Sequence, residues 1–166
     1  MQGSNVDLDL IDAAKDWLAI DGLWFLVIEK RYGLETAMKC DREVWEQYSA
    51  IEARRVMERL GLSEFGGLEA LELALQHRLY YYLNPQTIVK AGPETLILYI
   101  HTCRVHAARE RKALKKFPCK SIGQVEYEVF ARTIDPRITT ECLCCPPDHC
   151  PQKYYCAWRF RLDFSK

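Results

Sequence analysis

The sequence predicts an α+β domain in which N-terminal helices pack on one face of a small antiparallel sheet. In the first half, apolar residues recur every three or four positions, which is the period of an amphipathic helix. In the second half, two segments alternate apolar and polar residues, as half-buried strands do. Seven of the eight cysteines fall between Cys103 and Cys156, so we expect a cysteine-rich, metal-binding C-terminal part.

The length and charge of the chain limit its class. A chain of 166 residues suits a single domain, with a helical part over residues 1–84 and a sheet and cysteine-rich part over residues 85–166. Lysine plus arginine and aspartate plus glutamate number 23 each, so no net charge favours nucleic acid as a partner. We find no charged-then-apolar leader and no run that approaches the length of a membrane span. These features predict a cytoplasmic protein that binds neither nucleic acid nor membrane.

Three helices are predicted in the first half. The first covers residues 8–30, where apolar residues follow at three- and four-residue steps, and Gly33 ends it. The second covers residues 34–60 and ends at Gly61. A shorter third helix covers residues 68–80 before an Asn-Pro step stops the helical region.

The second half is predicted to form the sheet. Two strands surround a Gly-Pro turn, and alternation in the second of them places His101 and Cys103 on one face. A basic helix and a further helix follow, and the last strand alternates most regularly of all. The predicted strands cover residues 86–91, 95–104, 137–142 and 153–164, and the two helices between them cover residues 106–116 and 121–135.

Charged residues interrupt the apolar stripes of the first two helices. Asp21 lies on the first stripe, and Asp41, Glu52 and Arg55 lie along the second. An unpaired buried charge costs several kcal/mol, so these groups either pair with one another or face a cavity. Asp21 and Glu52 outnumber the single base Arg55, so we expect a small-ligand cavity between the two helices and the sheet. Its predicted lining is Asp21, Trp24, Trp45, Glu52, Arg55, His101 and Cys103.

Four cysteines are the predicted metal ligands. Cys142 and Cys145 form a CxxC pair, a spacing that lets both sulfurs bind one ion from a single turn. Cys119 precedes a helix, where the helix N-terminus favours a thiolate, and Cys156 lies in the last strand. Thiolate ligands in a tetrahedral set favour zinc. Two further cysteines are expected to be exposed loop thiols, and the sequence leaves open whether one of three loop residues replaces a proposed ligand, namely Cys144, His149 or Cys150.

Several segments resemble a family of uncharacterised prokaryotic cytosolic proteins. They are Trp17-Leu-Ala-Ile-Asp-Gly-Leu-Trp-Phe, Ile51-Glu-Ala-Arg-Arg, Phe117-Pro-Cys-Lys-Ser-Ile-Gly, Ile134-Asp-Pro-Arg-Ile and Cys156-Ala-Trp-Arg-Phe, together with the cysteine pair before Pro-Pro-Asp. More distantly, the pattern is similar to the amino-thiazoline carboxylate hydrolase-like proteins and the 4-vinyl-reductase domains. That resemblance implies an α+β small-molecule-binding domain.

The sensor members of those families hold a zinc ion. The resemblance implies that the corresponding ligand positions in this sequence are Cys119, Cys142, Cys145 and Cys156. The sensors place a glutamate at the position of Cys142, and their glycine-rich segment is reduced here to Gly123. The ligand specificity of the sensors is therefore not expected to carry over.

Three functions of different classes follow from the sequence. The favoured one is a small-molecule-binding or sensory domain with a structural zinc, because a site of four thiolates leaves no coordination position for water. The second is a hydrolase of a small cyclic amide- or imine-like compound, with Cys103, near His101, or a metal-bound water as nucleophile. The third is a non-catalytic assembly subunit, and a homodimer is compatible with each interpretation. A deep cavity with inward charges favours the first two, and a filled core favours the third.

Overall fold

The computed structural model describes residues 3–164, and within that range it contains six helices and a four-stranded antiparallel sheet. The predicted α+β class, with helices first, is confirmed. In chain order the elements are α1 (Gly3–Tyr32), α2 (Leu34–Leu60), α3 (Gly67–Gln76), α4 (Leu79–Leu83), β1 (Gln86–Lys90), β2 (Thr95–Ile100), α5 (Arg104–Arg111), α6 (Lys120–Ile134), β3 (Ile138–Cys144) and β4 (Cys156–Leu162).

The sheet has the strand order β1-β2-β4-β3, so the last strand lies in its interior. Leu98 of β2 stands opposite Trp158 of β4, and Leu96 stands opposite Phe160. These four side chains are fully buried on one face, where α3 and α6 pack. Because side chains alternate across a strand, the other face of β2 carries the partly exposed residues, and only one face of the sheet belongs to the core.

A close helix–sheet contact brings α6 down onto β4. A Cβ atom added at Gly123 would lie 2.6 Å from the Trp158 ring, a distance that no side chain can accept. Glycine here therefore lets the helix backbone approach the indole. This approach places the start of α6, which follows Cys119, beside the start of β4 at Cys156.

Two long helices form a hairpin on the far side of α6. Gly33 joins α1 to α2 with a φ of 86°, a conformation that favours glycine. Gly61 ends α2 in the left-handed conformation, as the sequence predicted. Within the hairpin, Trp17 of α1 stacks on Tyr48 of α2 at 5.7 Å between centroids, and Trp45 of α2 stacks on Tyr80 of α4 at 5.8 Å.

The predicted third helix is interrupted, and the cause is a buried arginine. Arg78 takes an extended conformation between α3 and α4, with φ −75° and ψ 153°. Its side chain is thereby turned into the core, where it is 2 % exposed. The periodic pattern of apolar residues continues through this break, so periodicity could not predict it.

Strand β2 ends at Ile100, four residues earlier than predicted. Its neighbour β1 follows Pro85, which has no N–H group with which to continue the ladder. His101 and Cys103 consequently lie beyond the strand, and Cys103 directly precedes α5. The expected placement of both residues on one strand face is wrong. Strand β4 is also shorter than predicted, since it begins at Cys156.

A membrane-spanning helix is not found: within residues 3–164 each helix is either too short or too polar to cross a bilayer.

Candidate functional site

A cavity of about 530 Å³ lies between the helices and the sheet. Helices α1, α2, α5 and α6 and strand β4 all contribute to its walls. Pockets for small molecules are typically about 300–1,000 Å³, mostly apolar, with a few polar groups that fix the orientation of the ligand. This cavity has that size and combines aromatic rings, carboxylates and thiols.

Three carboxyl groups face the cavity from three helices: Asp21 of α1, Asp41 of α2 and Glu126 of α6. Burial raises the pKa of Asp21. Burial also raises the pKa of Asp41 to about 7, and the charges of Asp21 and Glu126 add to that effect, while a hydrogen bond from Trp45 opposes it. Within the described part of the chain, the Asp21 carboxylate makes no hydrogen bond or ion pair. The cavity therefore holds more negative charge than its own walls neutralise.

The third carboxyl group shares a single cation with another acid. Arg78 donates two hydrogen bonds to Glu52 Oε2, at 3.0 Å from Nε and 2.7 Å from Nη2. Its Nη2 also lies 2.8 Å from Glu126 Oε1, an ion pair in which the N–H bond is not directed at the oxygen. Burial raises the pKa of Glu126 to about 7, although Arg78 opposes the shift. One arginine thus serves two acids, and Glu126 is the less well bonded of the two.

Aromatic and basic groups complete the walls. Trp45, Tyr80 and Phe117 line the cavity beside the acids. Arg109 is buried, but both of its terminal nitrogens donate to Glu29, at 2.6 and 2.8 Å. The other basic residues that border the cavity are exposed at its mouth, namely Lys15, Arg104, Arg111 and Lys112. The interior remains acidic and aromatic.

A group of thiols forms one end of the cavity. The sulfurs of Cys119 and Cys145 lie 3.4 Å apart, and His106 Nε2 lies 3.4 Å from Cys119 Sγ. Hydrogen bonds from Cys145 and His106 lower the pKa of Cys119 to about 6, and a hydrogen bond from Cys145 also lowers the pKa of Cys142. The thiol of Cys145 also interacts with those of Cys142 and Cys156, and all three neighbours raise its pKa.

The loop after β3 brings these thiols to the start of α6. The backbone N–H of Lys120 donates to Pro146 O at 3.0 Å, and Lys120 Nζ pairs with Asp148 at 2.8 Å. Asp148 also accepts a hydrogen bond from the backbone N–H of Cys145. The predicted ligands Cys119, Cys142, Cys145 and Cys156 therefore lie together around Cys145.

The spacing of the thiols is slightly short for a bound metal. Four sulfurs at about 2.3 Å from a zinc ion stand about 3.8 Å from one another. The 3.4 Å between Cys119 and Cys145 is the separation of hydrogen-bonded thiols. In the part of the chain that the structure describes, no group of three or more His, Cys, Asp or Glu side chains is arranged to hold a metal ion. The sulfurs of Cys119 and Cys145 would have to separate by a few tenths of an ångström to bind one zinc ion.

The two remaining cysteines of the loop form a disulfide, Cys144–Cys150. The expectation that both are exposed loop thiols is wrong, because the bulge in β3 turns Cys144 inward, where it is buried. As a disulfide, neither residue can replace one of the four thiols. His149 is exposed on the same loop, and the histidine that lies against the thiols is His106 instead.

Three of the predicted cavity residues line the cavity, namely Asp21, Trp45 and Cys103. Trp24 does not, since it is 66 % exposed on the outer side of α1. The apolar spacing of α1 fits two opposite faces, and the sequence alone could not say which face is inside. Burial raises the pKa of Cys103 to about 12, which makes it a poor nucleophile.

The other three predicted cavity residues lie elsewhere. Glu52 is buried against Arg78, whereas Arg55, one turn further along α2, is exposed to solvent. His101 is exposed and bonds to Thr87 Oγ1 at 2.7 Å and to the carbonyl of Lys153 at 3.0 Å. The predicted pairing of inward charges occurs, but its base comes from the α3–α4 junction.

The sequence did not point to three polar residues of the site, Arg78, His106 and Glu126, and Asp41 was predicted on an apolar stripe without being assigned to the cavity. Asp41 was recognised as a charge on an apolar stripe, and its neighbour Trp45 supplied the signal that would have placed it in the cavity. Glu126 follows Ile122 by one helical turn on the buried face of α6, a comparable signal. Arg78 and His106 have no local signal, because only tertiary packing buries them.

Comparison with known proteins identifies the family. The profile of a family of unknown function, DUF6125, matches residues 2–162. The chain belongs to this family. No curated protein matches the chain. The family match does not extend to the amino-thiazoline carboxylate hydrolase-like proteins or the 4-vinyl-reductase domains, so that resemblance stays a prediction.

Replacing Arg78 by Leu should lower the free energy of unfolding more than replacing Arg55 by Leu does. Arg78→Leu leaves Glu52 and Glu126 buried without a cation, which costs about 3–5 kcal/mol. Arg55 is exposed, so its replacement should change the free energy of unfolding by about 0.5 kcal/mol or less. Urea denaturation of both variants measures the difference. Equal effects would show that Arg78 does not hold the acids in place.

Asp41→Asn should change how stability depends on pH. The carboxyl pKa rises from 3.8 in the unfolded chain to about 7 in the folded chain, so its contribution is fully present below pH 3.8 and is lost as the pH rises through 7. The variant cannot titrate at this position and should gain up to about 4 kcal/mol relative to the wild type by pH 8.

Denaturant unfolding of both proteins between pH 4.5 and 8 measures that gain. Glu43→Gln, an exposed substitution on the same helix, is the control and should leave the pH dependence of the wild type unchanged. A constant difference between Asp41→Asn and wild type at every pH would contradict the assigned environment of Asp41.

Proposed function

We propose that this chain is a small-molecule-binding domain whose ligand occupies the cavity between α1, α2, α5, α6 and the sheet. The observation that carries the proposal is the 530 Å³ cavity with carboxyl groups on its walls. A domain that served only assembly would gain stability by filling that space and by removing the acids. An unfilled cavity and buried carboxyl groups lower the stability of the fold, and such features are typical of binding sites.

The walls favour a ligand with a positive charge on an aromatic or aliphatic body. Asp21 makes no hydrogen bond or ion pair within the described residues, and Asp41 accepts only the Trp45 indole N–H. An ammonium group between them would offset their mutual repulsion and could lie against the rings of Trp45 and Tyr80. The exposed basic residues at the mouth leave this inner acidic part uncompensated.

We further propose that Cys119, Cys142, Cys145 and Cys156 hold one zinc ion that stabilises the loop after β3. The four donors gather from three segments around Cys145, and thiolates are the ligands that zinc prefers in structural sites. The loop contains Pro146, Pro147 and Pro151 and few apolar residues, so burial offers it little stabilisation. The motif resemblance to the zinc-containing sensors supports the same ligand set.

One observation favours the hydrolase as a second candidate. Cys119 borders the cavity as a thiolate, with His106 at 3.4 Å from its sulfur, and this pair is the arrangement of an activated cysteine nucleophile. The earlier candidate Cys103 lacks such activation. Zinc ligation of Cys119 would occupy its sulfur, so metal content separates the two candidates directly.

Aromatic amines should raise the melting temperature, whereas uncharged and anionic analogues should not. Suitable probes are 2-phenylethylamine, 2-phenylethanol and 3-phenylpropanoate, which share one ring and differ in charge. Asp41→Asn should abolish the shift relative to its own unliganded melt, and Glu43→Gln should retain it. Equal shifts with all three probes would contradict the proposed charge preference. An absence of any shift, together with an inability to bind amines by calorimetry, would contradict the amine-binding site.

Purified protein should contain about one zinc per chain, and a strong chelator should lower its melting temperature by about 10 °C or more, since structural zinc contributes several kcal/mol to folding. Cys145→Ser should lose the metal, whereas Cys40→Ser, a free cysteine on α2 outside the thiol group, should retain it. Elemental analysis and thermal melts provide both readouts. Metal-free protein with an unchanged melt after chelation would overturn the zinc proposal.

A further inference from the structure

The outer side of α1 carries an exposed apolar stripe. Ile20, Leu23, Trp24 and Val27 are 54, 52, 66 and 43 % exposed, and they follow at the spacing of one helix face. This face is roughly opposite the one that Ala14, Leu18, Asp21 and Phe25 direct inward. A solvent-facing helix normally carries charged residues on this side, so the stripe indicates a surface that a partner covers.

Helix α2 extends the same surface. Val44 and Ile51 are 53 and 43 % exposed and lie about one turn of α2 before and after Tyr48. Tyr48 stacks on Trp17 of α1, so this side of α2 borders α1. We assign six exposed apolar residues of the two helices to this surface, namely Ile20, Leu23, Trp24, Val27, Val44 and Ile51.

Charges at the two ends of the stripe are complementary to each other. Asp9 and Arg31 lie eleven residues before and after Ile20, and both are exposed. Eleven residues make about three turns, so both side chains share the face of Ile20, each about 16 Å from it along the axis. An antiparallel copy of the helix centred on Ile20 would place Asp9 beside the Arg31 of the other copy, at both ends.

We propose that this surface binds a second copy of the chain, with the two α1 helices antiparallel about a two-fold axis near Ile20. A two-fold interface must be self-complementary. Here apolar residues meet at the centre, opposite charges meet at the ends, and the exposed Asp16, one turn before Ile20, lies beside Trp24 of the other copy. Lys15, Ala19, Gly22 and Leu26 of α1 border the cavity on another side of the helix, and Leu23 borders both the cavity and this surface. The inference stands independently of the proposed ligand and metal.

Light scattering coupled to size-exclusion chromatography tests the dimer. The full chain at about 50 µM should have twice the 19.4 kDa mass of the monomer. Ile20→Asp places two like charges at the axis and should shift the protein to the monomer mass, with an unchanged circular dichroism spectrum because Ile20 is exposed. Val89→Asp, on an exposed position of β1, is the matched control and should remain dimeric. A monomeric wild type, or an Ile20→Asp variant that stays dimeric, would overturn the proposal.

A charge exchange tests the antiparallel orientation. Arg31→Asp should weaken the dimer at least tenfold in 0.05 M salt, because each end then brings two acids together. Adding Asp9→Arg to that variant should restore the dissociation constant of the wild type. A double variant as weak as Arg31→Asp alone would exclude the antiparallel pairing.

Discussion

The structure depends on one buried cation. Arg78 lies between α3 and α4 and is bound by Glu52 of α2 and Glu126 of α6, so a single guanidinium joins the helical hairpin to the helix that packs on the sheet. The rings of Tyr127 and Phe130 lie 5.4 and 4.5 Å from it and exclude water. Such a buried charge is costly to create, and removing one partner leaves the others uncompensated. Its position also breaks the third helix and thereby sets the path of the chain into the sheet.

The cavity follows from the same arrangement. One guanidinium cannot fully neutralise two carboxylates, and the less well bonded Glu126 faces a space that Asp21 and Asp41 also border. Burial raises the pKa of Asp41, and the charges of Asp21 and Glu126 raise it further. A cationic ligand would convert this repulsion into attraction, which is why the proposed ligand class follows from charge and not from shape. The thiol group closes the far end and connects the loop after β3 to α6.

Local signals in the sequence were enough to predict most elements. Helix α2 has the predicted bounds because Gly33 separates it from α1 and Gly61 ends it. The grouping of Cys119, Cys142, Cys145 and Cys156 was predicted from the CxxC spacing, from the cysteine before a helix and from the family resemblance together. Arg78 could not be assigned as the partner of Glu52, because periodicity gives the direction of a side chain on its own helix and not the segment that meets it. For the same reason Trp24 was assigned to the wrong side of α1.

Native mass spectrometry of the full chain, purified without added metal or ligand, tests the central claim most directly. The account predicts a chain mass increased by one zinc ion, and a further mass of a small cationic molecule that is lost on mild activation and is absent from Asp41→Asn. The proposed binding position lies between Asp21 and Asp41, so the Asp41→Asn substitution should abolish binding of this molecule. A bare chain mass that also gains nothing when aromatic amines are added would contradict the claim that this cavity is a binding site.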